Sequence, residues 1–265
     1  MSLIQKYGQL ALVAGASEGI GAAFSGYLAA AGMDLVLVAR RKEPLDQLAT
    51  KLNHEYGTKV TCIICDLSDA EAALVIKEAL KDEEINLMVY NAAMSYIGPF
   101  ENNSLELHTR IAFANMITPM SMVRIFGESM LNMGRGAVIM MASLAGFQGS
   151  GFLATYAASK AFTRVMAESL WYEWKSRGVD VIACCAGATA TPNFIKTKPE
   201  KTSRFAPRVE SPEEVVEECM KWLGKKPSFI TGRGNRVASF FMQKILTREM
   251  AINIMGNNTR KMYRL

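Results

Sequence analysis

Ser143, Tyr156 and Lys160 lie within one short stretch of the chain, and their types suit the movement of a proton on and off a hydroxyl. Tyr156 and Lys160 are four residues apart, so a helix places them on one face. An ammonium beside a phenol favours the phenolate and lowers its pKa toward the working range of an acid or base. Ser143 follows a short apolar run at 137–141, from where it could meet the same substrate oxygen from the other side. Taken alone, Tyr-x-x-x-Lys also describes ordinary helix surfaces on which a tyrosine rests against a lysine stem.

A second constellation stands near the start of the chain. The apolar run 10–14 delivers Gly15-Ala16-Ser17-Glu18-Gly19-Ile20-Gly21, and a helical pattern follows at once. Glycines let backbone approach a pyrophosphate closely, and the N–H groups at a helix N-terminus meet its charge. The spacing is G-x-x-x-G-x-G, and the strand–turn–helix context is what nucleotide binding requires. The second apolar run ends in Arg40-Arg41, where an NAD site usually places an acid for the ribose 2′-hydroxyl. Guanidinium groups suit a 2′-phosphate, which favours NADP over NAD. Asp66, just past the third run, is placed either to accept from an adenine amino group or to cap a helix beginning near Ser68.

These groups need a frame. Apolar runs of strand length at 10–14, 34–38, 59–64, 87–90, 137–141, 179–184 and 228–230 alternate with helical patterns at 20–31, 44–56, 70–81, 105–133, 155–175 and 212–223. Continuous Val/Ile/Leu/Met strands joined by crossover helices predict an α/β fold. Right-handed crossovers make it a doubly wound parallel sheet of about seven strands, covered by helices on both faces, with ligands at the strands' carboxyl ends. No repeat or linker divides residues 1–265, so one domain is expected. Two stretches exceed what the sheet needs: a proline-containing basic loop at 191–208, expected to cover substrate, and a tail at 236–265 with an amphipathic helical pattern.

Composition narrows the function classes. The chain is 50% hydrophobic, enough to bury a full core, and has no uncharged apolar run of about 18 residues. Its first residues lack the apolar stretch of a signal peptide, which predicts a cytoplasmic protein. Five cysteines without regular spacing fit a reducing compartment, and Cys62 and Cys65 lie in a strand pattern that points them to opposite faces, so no metal is expected. The net charge of +5 is concentrated in residues 196–265, which permits contact with an anionic ligand or surface. Peripheral membrane contact is a less favoured use of that tail, and no nucleic-acid motif is present.

Taken in order, Gly15/Gly19/Gly21, Asp66, Asn91-Ala92, Asn115, Ser143, Tyr156 and Lys160 resemble the short-chain dehydrogenase/reductase family over nearly the whole chain. The resemblance implies a Rossmann-like domain that transfers hydride between NAD(P) and a carbonyl or alcohol. It assigns Tyr156 as general acid or base, Lys160 to its pKa and to the nicotinamide ribose, Ser143 to the carbonyl and Asn115 to a water relay behind Lys160. It places cofactor against Gly15, Ser17, Glu18, Gly19, Ile20, Gly21, Arg40, Arg41, Asp66, Leu67, Asn91, Ala92, Ala93, Gly187, Thr189 and Thr191, as well as Tyr156 and Lys160. Departures from the family pattern include Ala14, Tyr90, Ala93 and Ala186, and Glu18 stands where many NADP-dependent members carry a basic residue.

A closer likeness is to bacterial NADP-dependent hydroxysteroid dehydrogenases of the 7β type. It is carried by Lys6-Tyr7-Gly8, Ser17-Glu18-Gly19, Gly32-Met33, Arg40-Arg41 and the run from Ala186 to Pro192. It implies an apolar substrate with an anionic tail, walled by Met94, Tyr96, Leu144, Phe147, Phe152 and Phe194, with Lys196, Lys198 or Arg204 facing the charge. NADP(H) is the expected cofactor, with NAD(H) possible, and a homodimer or homotetramer is expected through the helical segments 105–133 and 155–175. The rival expectations are reduction of acyl or sugar carbonyls and a non-catalytic NADP-binding sensor or scaffold on the same fold.

Overall fold

Apolar residues dominate the short runs, and the structure explains this by burying the central strands on both faces. The computed structural model describes residues 1–81, 83–197, 199–200 and 208–265. Seven strands, β1 (Leu10–Ala14), β2 (Asp34–Ala39), β3 (Val60–Ile64), β4 (Leu87–Tyr90), β5 (Gly136–Ser143), β6 (Val179–Ala186) and β7 (Ser228–Ile230), form one sheet in the order β3-β2-β1-β4-β5-β6-β7. Every pairing is parallel, with Leu12 opposite Val36 on one side and Met88 on the other. The order reverses between β1 and β4, and the crevice at that switch point is where such sheets take ligands.

Alternation along each strand sends side chains into two cores. Leu12, Val38, Met88, Val138, Met140 and Val181 face helices α4 (Ala72–Leu80), α6 (Thr118–Met133) and α7 (Ala154–Trp174), which add Ile76, Met122, Phe126 and Ala167. Val13, Leu35, Leu37, Val89, Ile139 and Ile182 face α2 (Gly19–Ala30), α3 (Lys42–Tyr56) and α9 (Pro212–Trp222), which add Phe24, Leu28, Leu45, Leu52, Val215 and Cys219. All five cysteines are free thiols, and the sulfurs of Cys62 and Cys65 approach different carbonyls, those of Leu45 and Ala72.

Four regions differ from the sequence expectation. A short helix α1 (Leu3–Tyr7) precedes β1, where the chain was expected to run straight into the strand. Ser2 and Gln5 close a capping box on it, and the Lys6 ammonium and Tyr7 hydroxyl both donate to Asp180 Oδ2, at 2.7 and 2.8 Å. At five residues it is too short to show a helical period. The expected helix 105–133 is broken into α5 (Leu105–Ala112) and α6 by a π-helical turn at Phe113–Ile117. Pro119 stands four residues after Asn115 and supplies no N–H, so the Asn115 carbonyl has no α-helical donor. The tail is two helices, α10 (Arg233–Phe240) and α11 (Arg248–Tyr263), which flank a second π-helical turn, and the loop after β6 contains the short helix α8 (Pro192–Lys196).

Candidate active site

The carboxyl ends of β1, β4, β5 and β6 collect the residues singled out in the sequence. Ser143 ends β5, and its Oγ accepts from the Ala145 N–H at 3.2 Å, starting a 3-10 turn and leaving the hydroxyl proton free to donate outward. Tyr156 and Lys160 occupy the first two turns of α7. Lys160 is buried, its Nζ donates to the Met141 carbonyl at 2.7 Å, and it stands 5.8 Å from the Tyr156 ring centroid. Burial away from water pulls the Lys160 pKa down to about 8.

Tyr156 behaves differently from the simple expectation. Its burial pushes the phenol pKa up, the neighbouring Ser143 hydroxyl draws it down, and the Tyr263 phenol of α11 raises it further. Desolvation therefore outweighs stabilisation of the phenolate here, because the Lys160 ammonium is directed to a backbone carbonyl.

Asn115 lies in the π-helical turn, and its side chain is fully engaged. Oδ1 accepts from Met94 N–H at 2.8 Å, and Nδ2 donates to Met94 O at 2.8 Å and to Ser159 Oγ at 2.9 Å. The side chain thus pins the loop after β4 to α7. What remains for a ligand or water is the main-chain carbonyl, whose one side-chain donor is the distant Thr163 hydroxyl at 3.4 Å.

Across the crevice, Gly15 and Ala16 N–H groups donate to Val38 O, and Asn91 Nδ2 donates to Gly15 O at 2.9 Å, so the glycine turn is bolted to the ends of β2 and β4. Gly15 has φ +81°, and a Cβ there would stand 2.7 Å from the Ala92 backbone. A Cβ on Gly21 would stand 2.0 Å from Gly15 O, so only glycine keeps the turn tight and the N-terminus of α2 open. Ser17 and Ile20 complete the turn. These features fit a nucleotide pyrophosphate.

The adenosine end is charged. Glu18 caps α2 without a side-chain capping bond; its carboxylate instead pairs with Arg41 at 2.7 Å. Arg40 is exposed and forms no ion pair among the described residues. Asp66 accepts from the backbone N–H and hydroxyl of Ser68 and pairs with Arg110 at 3.0 Å. The Ser68 bonds, with Arg110 and Arg40 nearby, hold its carboxyl below the usual range against the opposing effect of burial. Leu67 is buried beneath it, while Ala92 and Ala93 lie at the surface of the crevice. Beyond β6, a Cβ on Gly19 would touch the Thr191 methyl at 2.9 Å, which brings Thr191 to the glycine turn, while Gly187 lies against Asn235 and Thr189 bridges to Glu210.

Sequence reasoning found part of the wall beside Tyr156 and missed Phe100, His108, Ile111 and the helix that covers it. A small cavity beside Tyr156 is lined by Tyr96, Phe100, His108, Ile111 and Phe152. Phe152 has φ +65°, a conformation rare for an aromatic residue, and its carbonyl accepts from Gly98 N–H at 2.9 Å. One stripe of α11 runs along this loop. Ile252 lies near Gly149, Gly256 lies over Gly151, the Arg260 guanidinium stands 5.3 Å from the Phe152 ring, and Tyr263 is near enough for its charge to act on Tyr156. Of the expected wall, Tyr96 and Phe152 line the cavity, whereas Phe147 packs on the core beneath Arg164. Lys196 is exposed on α8; Lys198 and Arg204 fall outside the described residues. A roomier cavity of about 330 Å³ opens at the strands' amino ends between Gln9, Asp34, Lys59 and Arg135, away from all of these groups.

No helix among the described residues is long and apolar enough to cross a membrane, and no metal-ligating cluster occurs among them. The short chain dehydrogenase family profile matches residues 9–202. The chain is 35% identical over 236 residues to a 7β-hydroxysteroid dehydrogenase of Clostridium sardiniense, covering 89% of this chain and 90% of that one. A solved structure concerned with 7β-hydroxysteroid dehydrogenase stereoselectivity superposes with a TM-score of 0.91 at 31% identity, covering 96% of this chain and 99% of that one. A short-chain dehydrogenase from Sphingobium yanoikuyae, solved with NADPH, has a TM-score of 0.76 at 28% identity and covers 84% of this chain and 87% of that one. With the ordered site at the switch point of its sheet, the chain belongs to the short-chain dehydrogenase family, the nicotinamide-dependent oxidoreductases of CH–OH groups.

Proposed function

We propose that this enzyme prefers NADP(H) and interconverts a secondary alcohol and its ketone on an apolar, hydroxysteroid-like skeleton. The observation that carries the reading is the grouping of Ser143, Tyr156 and Lys160 at the carboxyl end of β5, in the same sheet whose β1 leads into the glycine turn. Tyr156 gives its proton to the carbonyl oxygen during reduction and takes the hydroxyl proton during oxidation. Ser143 donates its free hydroxyl proton to the same oxygen and favours the developing charge. Lys160 holds the nicotinamide ribose; when its ammonium turns from Met141 toward the phenol, it offsets the burial that raises the Tyr156 pKa. Asn115 holds a relay water through its main-chain carbonyl. Bound nicotinamide supplies or accepts the hydride.

Gly15, Ser17, Gly19, Ile20 and Gly21 receive the pyrophosphate, Asp66, Leu67 and Asn91 to Ala93 border the adenosine, and Gly187, Thr189 and Thr191 hold the nicotinamide side. Arg40 takes the 2′-phosphate, with Arg41 partly neutralised by Glu18. Phe152, Tyr96 and the α11 stripe form an apolar wall for a rigid polycyclic substrate. The similarity to 7β-hydroxysteroid dehydrogenases supports a steroid ring system at this wall. Exposed Leu105, Ile117, Met120, Val165 and Tyr172 on α5, the π-helical turn, α6 and α7 suit pairing with a second copy, which sedimentation would detect.

The test is titration of nucleotide fluorescence with NADPH and NADH, followed by NADPH oxidation on oxosteroids and on small acyl and sugar ketones. Tighter NADPH binding and turnover of a 7-oxosteroid are expected. Tighter NADH binding would overturn the cofactor preference, and no turnover of any steroid would overturn the substrate class.

A further inference from the structure

Glu210 is a buried carboxylate, 5% exposed, that forms no ion pair among the described residues. Its Oε2 accepts from the Thr231 hydroxyl at 2.6 Å and from Asn235 Nδ2 at 3.0 Å. Its backbone pairs with the segment after β6: Glu210 N–H donates to Ala188 O at 3.0 Å, and Ala190 N–H donates to Glu210 O at 2.8 Å. The same two side chains that hold the carboxylate hold Gly187. Thr231 Oγ1 accepts from Gly187 N–H at 3.4 Å, and a Cβ on Gly187 would stand 2.3 Å from Asn235 Nδ2. One buried negative charge is thus tied, through two residues and a ladder, to the segment that carries Gly187, Thr189 and Thr191. A buried carboxylate with no cation beside it among the described residues is costly, and its place next to the segment 187–191 points to the charge of a ligand there.

The oxidised nicotinamide ring carries one positive charge and the reduced ring none. We propose that Glu210 is a positioning residue whose charge favours the oxidised nicotinamide over the reduced one at the segment 187–191. This rests on the cofactor reading given above. The charge repels the phosphates of both redox forms alike, so the ratio of the two affinities isolates its action on the ring.

The experiment measures dissociation constants of NADP+ and NADPH by calorimetry for the wild type, Glu210→Gln and Glu210→Asp. Glu210→Gln, which keeps the shape and removes the charge, is expected to raise the ratio Kd(NADP+)/Kd(NADPH) by roughly tenfold, the scale of one partly screened unit-charge interaction. Glu210→Asp is expected to stay within about twofold of the wild-type ratio, since the charge remains. Equal weakening of both nucleotides, with the ratio unchanged, would overturn the proposal and leave Glu210 a purely structural tie. Should Glu210→Gln not fold, Thr231→Val keeps the side-chain shape and withdraws one donor from the carboxylate, which disfavours its charged form, and the ratio should rise; an unchanged or lowered ratio would overturn the proposal equally. Failure of the wild type to bind either nucleotide would strike the cofactor reading instead.

Discussion

The carboxylate of Glu18 and the guanidinium of Arg41 stand 2.7 Å apart, joining the N-cap of α2 to the residue two past the end of β2. Side by side in the sequence pattern, an acid in the glycine turn argued against a 2′-phosphate and a pair of arginines argued for one. The ion pair resolves the conflict by dividing the arginines: Arg41 is occupied, and Arg40 is left facing solvent. Both paired side chains are well exposed, so the effect of breaking the pair is modest. Glu18→Gln is expected to tighten NADPH binding by about threefold and leave NADH unchanged, in fluorescence titrations at low salt. Weaker NADPH binding would mean that Glu18 positions Arg41 rather than neutralising it.

Replacement of Tyr156 by Phe removes the transferable proton and keeps the ring. A fall in kcat of at least about a hundredfold is expected, with NADPH affinity unchanged within about twofold. Equal loss of binding and turnover would place Tyr156 among the structural contacts.

The Lys160 pKa, lowered by burial from 10.5 to about 8, makes a statement about stability. Between those values the unfolded chain binds a proton that the folded chain does not, so stability rises with pH across that window and the penalty is fully present below about pH 8. The penalty is on the order of 3 kcal/mol at neutral pH, offset by about 1 kcal/mol for the hydrogen bond to Met141. Lys160→Met is therefore expected to lose activity yet melt a few degrees higher than wild type at pH 7, with the advantage shrinking toward pH 10. Nucleotide-free protein in a thermal scan at both pH values reads this directly. A variant that melts lower at pH 7 would contradict the burial penalty.

A Cβ on Gly151 would stand 3.1 Å from the Cα of Gly256 on α11, so a glycine at 151 lets the helix lie close, and Arg260 on the same helix reaches the Phe152 ring. Gly151→Leu is expected to lift the helix and raise KM for a ketone substrate at least about fivefold, while the nucleotide dissociation constants stay the same. A change in nucleotide affinity without a change in KM would show that α11 serves the cofactor side.

The sheet was legible because each strand is apolar at successive positions, and period and length alone separate such runs from helices. The grouping of Ser143, Tyr156 and Lys160 was legible because they hang from one strand end and one helix, so spacing in sequence is spacing in space. The placement of α11 was not. Phe152 and Arg260 are far apart in the chain and come together only because α11 packs on the 149–152 loop, and amphipathicity in the tail said nothing about which surface it would cover. Glu210 was equally silent, since a glutamate beside the Ser-Pro-Glu-Glu cap of α9 looks like one more acid at a helix N-terminus. The break after α5 was visible in Pro119, but that residue was absorbed into the long apolar period around it.

The π-helical turn also sets how this region can change over time. A π turn holds one residue more than an α turn, so the faces of α5 and α6 are related by that extra residue. Loss of one residue within Phe113–Ile117 would let the wide turn close to an α turn with Ile111 and Phe126 still on their present faces, whereas loss of a residue elsewhere between those two would rotate one against the other by roughly 100°, the angle per residue of an α-helix. The π-helical turn is thus the one place between them where the segment can shorten by a residue and keep its packing.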